Sequence, residues 1–142
     1  MALRVWLPLT SNTIENNGLE NLDFSSSIAM HLENTGKIGK CLYRNGAGII
    51  RSNLFSVSST TEGSICLWLK MPADYTTNGY IGGLSAGKAP NFMFYNYGAE
   101  AIRIYIDGSY RLVYTHGLAA EEWHHIAATF NNTGTALYID GI

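Results

Sequence analysis

The stretch Trp123-His124-His125-Ile126-Ala127-Ala128-Thr129-Phe130, followed by Asn131-Asn132-Thr133-Gly134 and then Thr135-Ala136-Leu137-Tyr138-Ile139-Asp140-Gly141-Ile142, decides the fold. Ile126, Ala128 and Phe130 alternate with His125, Ala127 and Thr129, which is the period of a strand with one face buried. Asn131 to Gly134 is a run of turn formers, and Leu137-Tyr138-Ile139 resumes an extended pattern. Asp140-Gly141 is a second hairpin signal whose return strand amounts to Ile142. The expectation is a sheet that lacks its closing strands, to be supplied by a longer native chain or by a partner.

Working outward, strand patterns recur between Gly, Asn and Ser punctuation, and no window shows a helical stripe. Strands are expected near Val5–Leu9, Leu42–Tyr43, Gly48–Ser52, Ser64–Met71, Tyr80–Leu84, Asn91–Tyr97, Ala101–Ile106, Tyr110–Thr115, His124–Phe130 and Ala136–Ile139. Residues 10–34 read as a surface excursion with a short strand near Ile28–Leu32. The fold class is all-β: two antiparallel sheets packed face to face.

The 142 residues fit one domain, 1–142, enough to bury roughly 68–70% of the surface of the unfolded chain. Charged residues make up 14% against an average of roughly 25%, and the net charge is −2. Scattered lysines and arginines make no basic stripe, so no nucleic-acid partner is expected. No apolar run approaches the roughly 18 residues of a membrane span, so no membrane insertion is expected. Met1 to Leu9 reads as a first strand, because Arg4 and Pro8 interrupt it and no cleavage signal follows. Cys41 and Cys66 are too few to define a disulfide framework and are expected as buried thiols.

The hairpin around Asp107-Gly108 has two candidate registers. A two-residue turn would set Ile104 across from Arg111 and mix core and solvent faces. A three-residue loop ending at Gly108 would instead set Ile102 and Ile104 against Leu112 and Tyr110. The second register is preferred, and it leaves Arg103, Tyr105, Arg111 and Val113 together on the other face. Upstream, Tyr95 and Tyr97 share a face opposite Phe92 and Phe94. They fit either a platform for sugar rings or ordinary amphipathic packing. The candidate ligand-binding residues are therefore Tyr95, Tyr97, Arg103, Tyr105 and Arg111. Trp6, Trp68, Trp123, Ile126 and Phe130 are the expected core anchors.

Several motifs fail on physical grounds. Gly82 to Lys88 has the spacing of a phosphate loop, but Ala89 stands where a hydroxyl would hold magnesium and Pro90 stops the helix, so it reads as a connection between strands. Glu121 and Glu122 are adjacent and would point to opposite faces of a strand, unlike the facing carboxyls, about 5–5.5 Å apart, of a retaining glycosidase. His124 and His125 would diverge likewise, which suits no metal; a structural histidine bonded to backbone is expected. No nucleophile elbow occurs. No enzyme activity is expected, and the sequon at Asn131 matters only in a eukaryotic secretory setting.

Trp-His-His-Ile-Ala followed ten residues on by Leu-Tyr-Ile-Asp-Gly resembles the signature of laminin G-like, concanavalin A-like jelly-roll domains. Ser64-Ile65-Cys66-Leu67-Trp68-Leu69-Lys70 is similar to the Phe-Thr-Ile-Ser-Ala-Trp-Val-Lys strand of that family, with Gly63 where the family carries an aromatic. Leu3-Arg4-Val5-Trp6-Leu7-Pro8-Leu9, with Gly36-Lys37-Ile38-Gly39-Lys40-Cys41, resembles versions found in bacteriophage virion proteins. The resemblance covers nearly the whole chain and stops before the family's closing half.

The resemblance implies a two-sheet antiparallel jelly-roll sandwich with one gently concave free face where ligands sit. It implies a multicopy, non-enzymatic virion protein of capsid-decoration or head-fibre type, located on the phage particle surface. Its partners would be capsid or fibre subunits and, through adhesion, cell-surface glycans. Alternatives are a purely structural domain completed by a partner's strand, and a carbohydrate-binding module of a secreted, extracellular bacterial protein. No cofactor is expected; the family sometimes holds calcium at loop rims, but Asp23, Asp74, Asp107 and Asp140 are too dispersed to nominate a metal site.

Overall fold

The computed structural model describes residues 24–26, 30–33, 36–38, 41–44, 50–52, 62–73, 78–86, 89–97, 101–106, 109–115 and 117–142. Among them there is no helix. The strands are β1 (Phe24–Ser26), β2 (Met30–Glu33), β3 (Cys41–Arg44), β4 (Ile50–Ser52), β5 (Gly63–Lys70), β6 (Gly79–Ala86), β7 (Ala89–Tyr97), β8 (Ala101–Ile106), β9 (Ser109–Thr115), β10 (Trp123–Asn131) and β11 (Gly134–Ile139). The expected strand Val5–Leu9, and Trp6 with it, lies outside the described residues.

Two compact units divide the chain, Met1–Phe55 and Ser56–Ile142. In the first, β1 pairs with β4 and β2 with β3, all antiparallel. The second holds a three-stranded sheet in the order β11-β10-β5 and a four-stranded meander, β6-β7-β8-β9. Every pairing in both sheets is antiparallel.

Alternation along the strands makes these two sheets a sandwich. β8 is buried at Ile102, Ile104 and Ile106 and half-buried at every residue between them. With Phe94 from β7 they form one cluster with Ile126 and Ala128 of β10, around which Ile65, Leu67, Leu69, Leu112, Phe130, Leu137 and Ile139 pack. Removing an isoleucine side chain of this size from water stabilises by about 1.5–3 kcal/mol. Because side chains alternate across a strand, the inward set fixes the outward set.

The same parity corrects three expectations. Ile65, Leu67 and Leu69 turn inward on β5, so Trp68 stands on the outer face, 39% exposed, and is no core anchor. Cys66 shares that outward parity and is exposed, not buried; Cys41 is half-buried at the start of β3. Trp123, paired with Lys70 at the end of the ladder, is half-buried. The Gly-rich segment from Gly82 is no connection: β6 runs on to Ala86, with register shifts beside Ile81 and after Leu84.

Gly63 has its own explanation. It pairs with Phe130, and a Cβ built there would lie 2.7 Å from Phe130 Cε1. The Phe130 ring occupies the space that an aromatic at position 63 would need. Gly63→Ala is therefore expected to destabilise by roughly 1–3 kcal/mol, as overpacking does. In a Phe130→Leu background the cost should shrink, and a double-mutant cycle by urea unfolding measures the coupling. Ile126→Ala, with no ring to relax, should cost about 2–5 kcal/mol in the same assay.

Candidate functional site

The outer face of the four-stranded sheet is built in rows. Tyr95 of β7 pairs with Arg103 of β8, and Arg103 with Val113 of β9. In the next row Met93 pairs with Tyr105, and Tyr105 with Tyr110. Tyr80 of β6 stands opposite Tyr95, and Tyr97 opposite Ala101. The backbone register thus puts Tyr80, Tyr95, Arg103 and Val113 in one line across the sheet, with Tyr105 and Tyr110 beside it.

The register of β8 with β9 starts as the two-residue alternative, not the preferred one, and then shifts by one residue. Near the turn Ile106 pairs with Ser109 and Tyr105 with Tyr110, across residues 107–108, which lie outside the described residues. Ile104 then pairs with Leu112, so Arg111 is the extra residue of a bulge. The preferred register is absent: Ile104 faces Leu112 and Ile102 faces Tyr114, where Tyr110 and Leu112 respectively were expected, and Tyr110 joins the outer face opposite Tyr105. The bulge reconciles a tight turn with an unmixed core, and Arg111 is exposed.

The side chains at the centre of this face touch. The Tyr105 and Tyr110 rings lie 4.1 Å apart between centroids, tilted by 46°, and the Arg103 guanidinium carbon sits 4.6 Å over the Tyr110 ring. That is cation–π distance. A hydrogen bond with Tyr105, then a hydrogen bond and the charge of Arg103, hold the Tyr110 hydroxyl below its ordinary pKa. Tyr110 is 48% exposed and Val113 56%, so the cluster presents flat apolar area with hydroxyls and a cation attached. Among the expected ligand-binding residues, the structure brings Arg103 and Tyr105 together and sets Tyr95 next to Arg103 in register. Tyr97 falls one row further out, and Arg111 lies in the bulge. Tyr110 was missed because the two-residue turn, which alone pairs residues 105 and 110, looked incompatible with an unmixed core until the bulge at Arg111 is allowed for.

The acid and imidazole groups at the far end of β10 hold the fold together. Glu121 has a left-handed backbone, φ 63°, and its N–H donates to the Met71 carbonyl at 2.8 Å. Its carboxylate accepts from the Ala73 N–H at 3.2 Å and meets Lys70 Nζ at 3.0 Å, clipping the connection between β9 and β10 to the end of β5. His124 Nδ1 lies 2.8 Å from Asp140 Oδ2 and its Nε2 3.3 Å from the Ala119 carbonyl, which is the backbone bond the sequence suggested. The His125 N–H donates to Asp140 Oδ1 and the Asp140 N–H to the His125 carbonyl, each at 2.8 Å. The His125 ring instead meets Trp68 edge-on on the outer face, with 5.2 Å between centroids. Asp23, Asp74 and Asp107 lie outside the described residues.

Both hairpin turns of this sheet follow their chemistry. Asn131 Oδ1 accepts from the Thr133 N–H at 2.8 Å, the Thr133 hydroxyl at 2.6 Å and the Gly134 N–H at 3.0 Å, so the side chain builds the turn. Asp140 and Gly141 have φ of 52° and 91°, and Ile139 and Ile142 exchange both backbone hydrogen bonds, as across a type I′ turn. Tyr114, Leu137, Ile139 and Ile142 line an open, largely apolar cleft of about 290 Å³ where β9 and β11 approach.

Among the described residues of the second unit, the two antiparallel sheets pack as a β-sandwich. The family described as the Concanavalin A-like lectin/glucanases superfamily, of laminin G type, matches residues 44–142, and the chain belongs to it. No curated protein and no solved structure matches the chain.

The Asp140 carboxyl lies below its ordinary pKa, mainly through the His124 hydrogen bond and then the His125 N–H. A carboxyl held down in the fold stabilises above its unfolded pKa, about 3.9, and that stabilisation is lost as pH falls through the lower, folded value. Asp140→Asn keeps a residue tolerant of positive φ but removes the titration. The variant should be less stable at neutral pH, and its stability should fall less steeply below about pH 4. Urea midpoints across that range measure the difference in slope.

Proposed function

We propose that this chain is a non-enzymatic carbohydrate-binding domain, displayed in many copies on a bacteriophage particle as a capsid-decoration or fibre-type protein. The observation that carries the binding role is the Arg103–Tyr105–Tyr110 cluster on the outer face of the four-stranded sheet, in a member of a lectin and glucanase superfamily. Tyrosine faces stack on the apolar side of a sugar ring, while their hydroxyls and the guanidinium reach its hydroxyls. Such contact is shallow and weak at one site, and multivalent display converts it into retention. Capsid or fibre subunits are the structural partners in this reading, and a surface polysaccharide is the ligand. The virion assignment is supported by the resemblance of residues 3–9 and 36–41 to phage proteins. In support of a non-enzymatic role, Glu121 is taken up by Lys70 and the Ala73 N–H, and Asp140 by the two histidines.

A second reading, assembly through a partner's strand, is favoured by one observation: the apolar cleft of Tyr114, Leu137, Ile139 and Ile142. A strand laid there would cover side chains and edge backbone together.

Retention on an array of bacterial surface glycans separates the two. Tyr105→Ala and Tyr110→Ala should each weaken retention by about 3–10-fold, the size of one aromatic contact. Tyr95→Ala tests how far the platform extends along the row. A folded protein that no glycan retains would overturn the binding role and leave the assembly reading.

A further inference from the structure

Four outward side chains of β8 and β9 stand in two neighbouring rows, Arg103 opposite Val113 and Tyr105 opposite Tyr110. The rows are two residues of β8 apart, about 7 Å. Arg103 and Tyr105 are half-buried, whereas Tyr110 is 48% and Val113 56% exposed, so a ligand meets a phenol ring and a branched aliphatic side chain first. The ring is held by Tyr105, 4.1 Å away between centroids, and by the Arg103 guanidinium at 4.6 Å, so it loses little further freedom under a ligand. Its hydroxyl has a defined sense. Arginine can only donate, and hydrogen bonds that a phenol oxygen accepts lower its pKa, which is the direction for Tyr110. The Tyr110 proton is therefore left to donate to a ligand, the more strongly because its oxygen already accepts. Because Arg103 stands opposite Val113, a hydroxyl bonded to Arg103 lies toward the Val113 row.

We infer that Tyr110 and Val113 recognise an N-acetylated amino sugar, with the pyranose ring on the phenol, the acetamido carbonyl accepting from the Tyr110 hydroxyl, and the acetamido methyl on Val113. The inference rests on the carbohydrate-binding reading and narrows its ligand class. A saccharide bearing hydroxyls alone would cover Val113 with polar surface, since its apolar face lies on the ring. An acetamido group brings what the two residues call for, a strong acceptor and a methyl group on one planar unit. A 6-deoxy sugar brings the methyl without the carbonyl and leaves the Tyr110 proton to a weaker acceptor. The acetamido group is uncharged, and its recognition draws on burial and one hydrogen bond, not on the charge of the sheet face.

The test is a set of immobilised oligosaccharides in matched forms, with N-acetyl, N-formyl or plain hydroxyl at the same ring carbon, beside 6-deoxyhexose polymers and acidic polymers that lack acetamido groups. The N-acetyl form is expected to be retained about 10-fold more strongly than the hydroxyl form, from one hydrogen bond and one buried methyl. Val113→Thr exchanges a methyl for a hydroxyl at an exposed position, and should weaken retention of the N-acetyl form roughly 4-fold while leaving the N-formyl form unchanged. Tyr110→Phe keeps the ring and should reduce the preference for N-acetyl over hydroxyl, with thermal unfolding measured in parallel to show that both variants fold. Equal retention of the N-acetyl and hydroxyl forms, or retention confined to the 6-deoxy or acidic polymers, would overturn the acetamido assignment while leaving carbohydrate binding in place. Retention on none of these, nor on the wider glycan array, by protein shown to be folded, would remove the carbohydrate-binding reading itself.

Discussion

The burial of Ile126 and Ala128 in one cluster with Phe94, Ile102, Ile104 and Ile106 is the constraint from which the rest of the sandwich follows. Strand side chains alternate strictly, so once Ile102 and Ile104 point inward, Arg103 and Tyr105 have to point outward. A slip of one residue would bury a guanidinium and a phenol and expose two isoleucines. The outer face of β8 is therefore as well fixed as the core behind it. The bulge at Arg111 belongs to the same constraint, since it lets β9 leave a tight turn and still put Leu112 against Ile104.

The legible parts of the sequence were those where a single local rule decided the outcome. β10 and β11 stand almost where alternation put them, because Asn131 and Gly141 supply the turn chemistry themselves. Trp68 was misread because size argued for burial while parity argued against it. Three smaller aliphatic residues at 65, 67 and 69 outweigh one indole in choosing the face. The Gly82 segment was read as a connection because glycine weakens strand propensity, but pairing with β7 carries it to Ala86. Tyr110 escaped because no local pattern announces a bulge. Its position follows from the two-residue turn, and the bulge after it returns Leu112 to the core that both sheets share.

The conspicuous acidic and imidazole residues turn out to be devoted to the frame. Glu121 ties the connection before β10 to the end of β5, and Asp140 gathers His124, the His125 backbone and a left-handed turn into one corner. These contacts secure the end of the three-stranded sheet. The strands of the four-stranded sheet carry hydroxyls, aromatic rings and two guanidiniums. In a member of the concanavalin A-like superfamily, this division of labour directs attention to one face of one sheet.

That assignment is tested most directly by amide chemical-shift mapping of the folded protein during titration with an oligosaccharide cut from a retained polymer. Saturable shifts are predicted along the outward positions of β7, β8 and β9, largest around Arg103, Tyr105 and Tyr110, with the other sheet unchanged. Shifts confined to the opposite outer face, around Trp68, His125 and Tyr138, or to the cleft beside Ile139, would contradict it.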